Sequence, residues 1–236
     1  MEHGQHIAGL DEVDLYTIDF GRYLWDEQLA FDPLRHDNPE LKITFDQDVA
    51  DTSCIVNEVE IWTDIFDEKV VNPLGFLLAT EHYAYTVPIG GGFEEISLPA
   101  DRPIRQILVR AHQDGKVPYG VIDQVRLDEG TIDRIPFDYT SIEDYYRRMK
   151  AVWPQVRTPF AAGLNVAATV YYIPQSDFWA NINLIAVAQT NEFFETTADM
   201  QGGKVSLQAA AAAQAVGEAR GYLPWSVFQF PMGKPD

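Results

Sequence analysis

Histidine is the side chain most often used for metal binding and for proton transfer near neutral pH. The chain has five histidines, at His3, His6, His36, His82 and His112. No two of them have the His-x-His spacing that would place two imidazoles on one face of a strand, as a metal site in a β-barrel requires. We therefore expect core or boundary histidines within strands, solvated histidines near residue 1, and no metal site.

Carboxylates are the second set of side chains that could do chemistry. Close groups occur at Asp46 and Asp48, at Glu58 and Glu60, and at Asp64, Asp67 and Glu68. Such groups act as acid and base in glycosidases or as oxygen ligands of divalent cations. None has the spacing of a calcium loop, and close pairs arise by chance in a chain with 36 acidic residues. We expect no catalytic pair, while a weakly held cation stays open.

Motifs for nucleophiles and phosphate binding are missing. Gly90, Gly91 and Gly92 are not followed by Lys-Ser or Lys-Thr, so they indicate a hairpin turn instead of a phosphate loop. No Gly-x-Ser-x-Gly sequence occurs, and the single cysteine, Cys54, has no histidine near it in sequence. One cysteine excludes a disulfide within the chain and leaves a buried thiol or a bridge between subunits. The sequence predicts a protein that is not an enzyme and has no cofactor.

The charge balance indicates a protein adapted to salty water. The 236 residues carry a net charge of −19, with 21 Asp, 15 Glu, 11 Arg and only 6 Lys. Molar salt shortens the Debye length to about 3 Å and screens the self-repulsion, while the carboxylates keep the surface hydrated. An ordinary acidic protein is the alternative. Direct nucleic-acid binding is not expected because no basic patch is available to neutralise phosphates, and no apolar run reaches the about 20 residues of a membrane-spanning helix.

Short runs of β-branched and aromatic residues between turn signals predict an all-β fold. The predicted strands are 15–24, 41–45, 55–65, 76–87, 93–98, 104–112, 121–127, 131–137, 166–173 and 180–189. A helix is predicted from Ser141 to Trp153, with a capping box formed by Thr140 and Glu143. The Ala-rich segment 205–220 predicts a second helix, with a tightly packed strand as the alternative.

The chain is expected to form one unit, 1–236, with a possible subdivision near 153–160, where Lys and Arg become rare. In the most apolar long strand, we expect Trp179 to line or edge the core with Ile182, Leu184 and Ala186. The segment 222–231 is rich in aromatic residues and bracketed by prolines. We interpret Tyr222, Trp225, Phe228 and Phe230 as an assembly interface, with burial on the chain's own barrel as the alternative. On the interface interpretation, a chain that ends before Tyr222 should still fold but should not assemble.

Residues 72–137 are the most distinctive part of the sequence. They combine a strand opened by Pro73 and Gly75, a hairpin, a Leu98-Pro99-Ala100-Asp101 turn into an apolar strand flanked by arginines, and a strand that ends in Asp128-Glu129-Gly130. This pattern resembles the vertical jelly-roll major capsid proteins of icosahedral viruses with an internal membrane. Together with the acidic composition, it is similar to the larger of the two major capsid proteins of the sphaerolipovirus-like viruses of halophilic archaea, with double-barrel capsid proteins as the second choice.

The resemblance implies an all-β, viral-capsid jelly-roll barrel with one or two short helices. It also implies a structural role in the virion, in an icosahedral shell around an internal membrane. The implied partners are copies of this chain, a second major capsid protein, penton or spike proteins and the membrane, and no catalytic residue is carried over. Because subunits of this charge repel each other, assembly should depend on salt. A carbohydrate-binding or adhesive β-sandwich of a halophile is the alternative from another class.

Overall fold

The fold is described from a computed structural model, which describes residues 17–44, 59–67, 70–129, 134–164, 169–185, 201–207 and 213–232. The chain divides into two compact units, one of which is Tyr16–Pro99 and the other Ala100–Asp236 together with Met1–Leu15. We call them the smaller and the larger unit. The positions 153–160 lie inside the larger unit, and the expectation of a single domain stays a prediction.

The larger unit contains nine strands among its described residues. They are β1 (Gln106–Arg110), β2 (Val125–Glu129), β3 (Arg134–Tyr139), β4 (Val156–Leu164), β5 (Thr169–Tyr172), β6 (Gln175–Ile185), β7 (Lys204–Leu207), β8 (Ala213–Pro224) and β9 (Val227–Pro231). All pairs are antiparallel, in a three-stranded sheet of order β4-β8-β6 and the two-stranded pairs β1-β9, β2-β3 and β5-β7. The prediction of a mostly-β fold is confirmed.

One helix, α1 (Ile142–Met149), packs its apolar residues into the core of this unit. Ser141 caps it, because its Oγ accepts a hydrogen bond from the Asp144 amide at 3.3 Å. The predicted helix is therefore present, but its cap is Ser141 and not Thr140, and it ends at Met149 and not at Trp153. Acidic residues stand in its first turn and arginines in its last, as the helix dipole favours.

The prediction of a second helix over 205–220 is wrong. The described part of this segment forms β7 and β8, and β8 is paired along both edges, with β4 and with β6. Two neighbouring strands satisfy the backbone hydrogen bonds of β8, and this outweighs the high helix propensity of its alanines. Gly221 shows how tight the pairing is, since a Cβ there would lie 2.2 Å from the Asp177 carbonyl oxygen.

Strand β6 corrects the predicted role of Trp179. Phe178 is buried, whereas Trp179 is 62% exposed, because neighbouring residues of a strand point to opposite faces. The prediction therefore assigned Trp179 to the wrong face of the strand. The side chains of Ile182 and Leu184, and Ala186 altogether, lie outside the described residues.

The smaller unit departs most from the predicted strands. Its described residues contain no strand, only the short 3-10 helix Pro33–Arg35 and one parallel bridge between Leu29 and Gly75. The described parts of predicted strands 15–24, 41–45, 55–65, 76–87 and 93–98 are thus not strands. Alternation of apolar residues gives a strand only where a second strand supplies hydrogen bonds and a buried face. The turn predicted at Gly90–Gly92 is present, with the Gly91 amide donating to the Pro88 carbonyl.

Two local clusters order part of the smaller unit. Asp26 accepts hydrogen bonds from the Arg22 side chain and from the amides of Arg22, Gln28 and Leu29. Beside it, aromatic rings pack at centroid distances of 4.9–5.9 Å. These rings are Phe20, Phe31, His36 and Phe76.

Candidate functional site: an exposed apolar surface and a buried polar chain

The exposed side chains of the smaller unit are the first candidate. Large apolar residues are exposed along two of its described segments, 59–67 and 70–99. They are Val59, Ile61, Trp62, Ile65, Phe66, Val70, Leu74, Leu78, Tyr83, Tyr85, Val87, Ile89, Phe93 and Ile96. Isolated exposed apolar residues are normal on a folded protein, but so many within about 40 residues make these segments a candidate contact surface.

The hairpin-like part of this surface is held by side chains. His82 Nε2 lies 2.7 Å from the Ser97 carbonyl oxygen, and the Tyr83 hydroxyl donates to Glu94 at 2.6 Å. These contacts join the two segments that flank the glycine turn, 76–87 and 93–98. The two segments are therefore joined by contacts of His82 and Tyr83, without paired strands among these described residues.

A serine, a histidine and an aspartate are hydrogen-bonded in the larger unit. His112 Nδ1 lies 3.1 Å from Ser226 Oγ, and His112 Nε2 lies 3.1 Å from Asp114 Oδ1. Ser226 Oγ also lies 2.7 Å from Ser176 Oγ. The residue types are those of a hydrolase triad, in which histidine takes the proton of a serine that attacks the substrate.

The burial of Ser226 argues against such an attack. Its residue is 1% exposed, and it belongs to the turn between β8 and β9, where Trp225 and Ser226 have φ of 58° and 62°. The amide of Trp225 donates to Pro174, and the carbonyl of Ser226 accepts from the Ala111 amide. The chain of hydrogen bonds therefore fastens this turn to the end of β1. Sequence reasoning finds no role for His112 beyond ending a strand, because its partner Ser226 is 114 residues away.

The carboxylates considered for metal binding or catalysis do not form a cluster among the described residues. No group of three or more His, Cys, Asp or Glu with ligand geometry occurs there. Glu60 accepts a hydrogen bond from Trp62 Nε1 at 3.1 Å. His3, His6, Asp46, Asp48, Cys54, Glu58 and Glu68 lie outside the described residues.

The predicted interface residues 222–230 are brought together, but largely inside the core. Phe228 and Phe230 are 0% and 1% exposed and pack with Ile142, Tyr145 and Tyr146 of α1. A side chain without exposed surface cannot contact a second subunit while the unit stays folded. The burial of Phe228 and Phe230 thus disagrees with their expected interface role. It also disagrees with the expectation that a chain cut before Tyr222 stays folded, because the cut removes β9 and with it these two core side chains.

Tyr222 and Trp225 differ from these two residues. Trp225 is 51% exposed. Tyr222 is half-buried beside Tyr146 and Lys150, whose ammonium lies 5.2 Å from the Tyr222 ring centroid. Of the four predicted residues, only Trp225 is mostly on the surface.

A polar network joins α1 to β6. The Tyr146 hydroxyl donates to Asp177 Oδ2, and Lys150 Nζ lies 2.8 Å from the same oxygen. Burial and the hydrogen bond to Asp177 raise the pKa of Tyr146 far above its usual value, and burial raises the pKa of Tyr145 to about 12. Both phenols are therefore neutral at any physiological pH, which suits structural and not acid–base roles.

Comparison with known proteins gives no further assignment: no protein-family model, no curated protein and no solved structure matches the chain. Among the described residues, no helix is long and apolar enough to cross a membrane.

Proposed function

We propose that the chain is a structural protein whose smaller unit is completed by contact with other subunits. Specifically, it would be a jelly-roll major capsid protein of an icosahedral shell around an internal membrane, located in the virion. The observation that carries the proposal is the set of exposed apolar side chains at 59–67 and 70–99. Repeated contacts between subunits are the setting in which such a surface is covered in every copy.

The charge supports an assembly that depends on salt. Each copy carries −19, so bringing copies together in dilute buffer costs electrostatic free energy. In molar salt this repulsion is screened within about 3 Å, whereas burial of apolar surface remains favourable. The partners would be further copies of this chain, a second major capsid protein, penton or spike proteins and the inner membrane, without direct nucleic-acid contact, cofactor or catalysis.

The test is assembly of the purified protein across a sodium chloride series, followed by light scattering and negative-stain microscopy. We expect regular particles or capsomers in molar salt that dissociate as salt falls towards about 0.1 M, where the Debye length reaches about 10 Å. The variant Trp62→Ser, Ile89→Ser, Phe93→Ser should stay monomeric with an unchanged unfolding midpoint. The control Val152→Ser changes an exposed residue of the larger unit and should assemble. A wild-type chain that is monomeric at every salt concentration would refute the proposal.

A carbohydrate-binding or adhesive β-sandwich is the second candidate. It is favoured by exposed tryptophans with polar neighbours, such as Trp62 beside Glu60, because aromatic faces stack on sugar rings. This candidate requires a monomer that binds glycans, so glycan-array binding by a protein that does not self-associate would select it.

A further inference from the structure

The three-stranded sheet β4-β8-β6 has one face on which several of the described side chains are exposed. In register, Trp179 of β6 stands opposite Arg220 of β8, and Arg220 stands opposite Arg157 of β4. Directly opposed residues of antiparallel strands lie on the same face. Trp179, Arg220 and Arg157 therefore form one row across the sheet, and Asn181, Glu218 and Pro159 form the next row on that face.

The two faces of the sheet differ in how deeply their side chains are buried. On one face, Phe178, Ala219 and Thr158 are buried. On the other, Trp179 is 62% exposed, and Arg157, Pro159 and Asn181 are exposed as well. Helix α1 covers only the end of this outer face, where Tyr146 and Lys150 contact Asp177. The large ring of Trp179 is thus mostly exposed on the outer face of the sheet.

The charges of the outer face are opposite to those of the chain as a whole. Arg220 contacts Glu218 at 2.5 and 2.8 Å, and this hydrogen bonding lowers the pKa of Glu218, to which the charge of Arg157 adds. Glu218 is therefore ionised and balances one of the two arginines. One positive charge, that of Arg157, therefore remains in the row that also contains Trp179, on a chain of net charge −19.

We propose that this outer face, centred on Trp179, Arg157 and Arg220, binds the acidic surface of a second copy of the chain. The proposal rests on the assembly function proposed above and names the surface that the larger unit contributes to it. The charge complementarity selects the occupant, since every neighbouring copy presents many carboxylates and few cations. Trp and Arg are also the residues that most often dominate the energy of protein interfaces.

High salt does not remove such a contact. Long-range repulsion between copies is screened in molar salt, but an arginine and a carboxylate in direct contact, shielded from water by an indole ring, are screened much less. The face would therefore provide a specific short-range attraction under the conditions in which the general repulsion is weakest. This also sets the orientation of neighbouring copies.

The test compares wild type with Trp179→Ala and Arg157→Glu in molar sodium chloride, by analytical ultracentrifugation over a range of protein concentrations. Each variant should raise the concentration needed for half-assembly by about tenfold or more, the effect expected of an interface hot spot. Arg157→Lys, which keeps the charge, should recover part of the loss. The control Arg102→Glu makes the same charge change at an exposed arginine elsewhere and should stay within about twofold.

The possible outcomes distinguish failure of this interface from failure of the proposed function. Wild-type assembly with unchanged assembly of Trp179→Ala and Arg157→Glu would refute this interface and leave the proposed function standing. A wild-type chain that never self-associates would overturn both. If the monomer binds a glycan and Trp179→Ala abolishes that binding, the occupant of this face is a sugar and not a second copy. Circular dichroism and unfolding midpoints should be unchanged in all variants, because the substituted side chains are exposed.

Discussion

The two units of the chain treat their apolar residues in opposite ways. All eleven buried hydrophobic residues among those described belong to the larger unit, where nine strands, one α-helix and a short 3-10 helix at Pro118–Gly120 satisfy the backbone. Of the smaller unit's described residues, none belongs to this buried set, and apolar side chains are exposed along 59–67 and 70–99. Aromatic content alone does not decide this difference. What decides it is whether strands find partners within the chain, because only paired strands can bury a face without leaving backbone groups unsatisfied.

The largest expected difference between the units concerns phenylalanine. Phe230→Ala, in the core of the larger unit, should lower the free energy of unfolding by about 3–5 kcal/mol, from lost burial and the cavity left behind. Phe93→Ala, at a 90% exposed position of the smaller unit, should change it by less than about 0.5 kcal/mol. Urea unfolding followed by circular dichroism measures both. Equal losses would mean that the smaller unit has a core of its own.

Two glycine substitutions, one in each unit, compare how tightly the backbones of the two units are packed. Gly221→Ala places a Cβ 2.2 Å from the Asp177 carbonyl oxygen and 2.7 Å from Phe178, so it should destabilise the larger unit by about 1–3 kcal/mol through overpacking. Gly75→Ala meets nothing within 4 Å and should be neutral, or stabilising by up to about 1 kcal/mol. Thermal unfolding compares the two. A tolerated Gly221→Ala would contradict the tight β6-β8 pairing.

The smallest expected effect is the pH dependence of Asp26. Side-chain hydrogen bonds from Arg22 hold the pKa of Asp26 well below its usual range, although burial opposes the shift. A carboxyl whose pKa is lowered on folding stabilises the folded state above its unfolded pKa of about 3.9 and loses this contribution as the pH falls further. The stability difference between wild type and Asp26→Asn should thus be constant from about pH 5 to 8. It should shrink as the pH falls below about 3.9, the unfolded pKa of the carboxyl.

Limited proteolysis at 17–36, at matched pH and salt, reports on the region around Asp26. Asp32→Asn serves as the control, because Asp32 also contacts an arginine, Arg35, but at 3.2 Å on an exposed 3-10 helix. Protection that is identical in wild type and Asp26→Asn at pH 7 would show that the Arg22 contacts do not order this segment.

The elements that the sequence predicts correctly are those whose signals are local. Strand β1 falls within predicted strand 104–112 because a short apolar run, 107–109, marks it in the sequence, and α1 is indicated by the acids and arginines at its two ends. Strand β8 is mistaken for a helix because alanine propensity is local, whereas its two partner strands are not. The strands predicted in the smaller unit are absent from its described residues because their signal, alternation of apolar residues, is local and does not show whether a pairing strand exists.

The candidate sites follow the same rule. The sequence does not separate the exposed Trp225 from the buried Phe228 and Phe230, because their burial depends on β9 pairing with β1, which no short motif reports. Likewise, the row formed by Trp179, Arg220 and Arg157 exists only because three distant strands are in register. Charge and composition, by contrast, need no register, and they carry the expectation of salt dependence directly.

The pairing of β1 with β9 also sets an order of events during folding. His112 and Ser226, which stand at one end of this pair, are 114 residues apart, so closing the loop between them carries a large entropy cost before any contact forms. Contacts of such high sequence separation slow folding to the millisecond-to-second range typical of β proteins. During synthesis, β1 leaves the ribosome long before β9 and must wait for the strand with which it pairs. The neighbouring hairpin β2-β3 and helix α1 are made of local contacts, so they are the elements on which we expect the larger unit to nucleate.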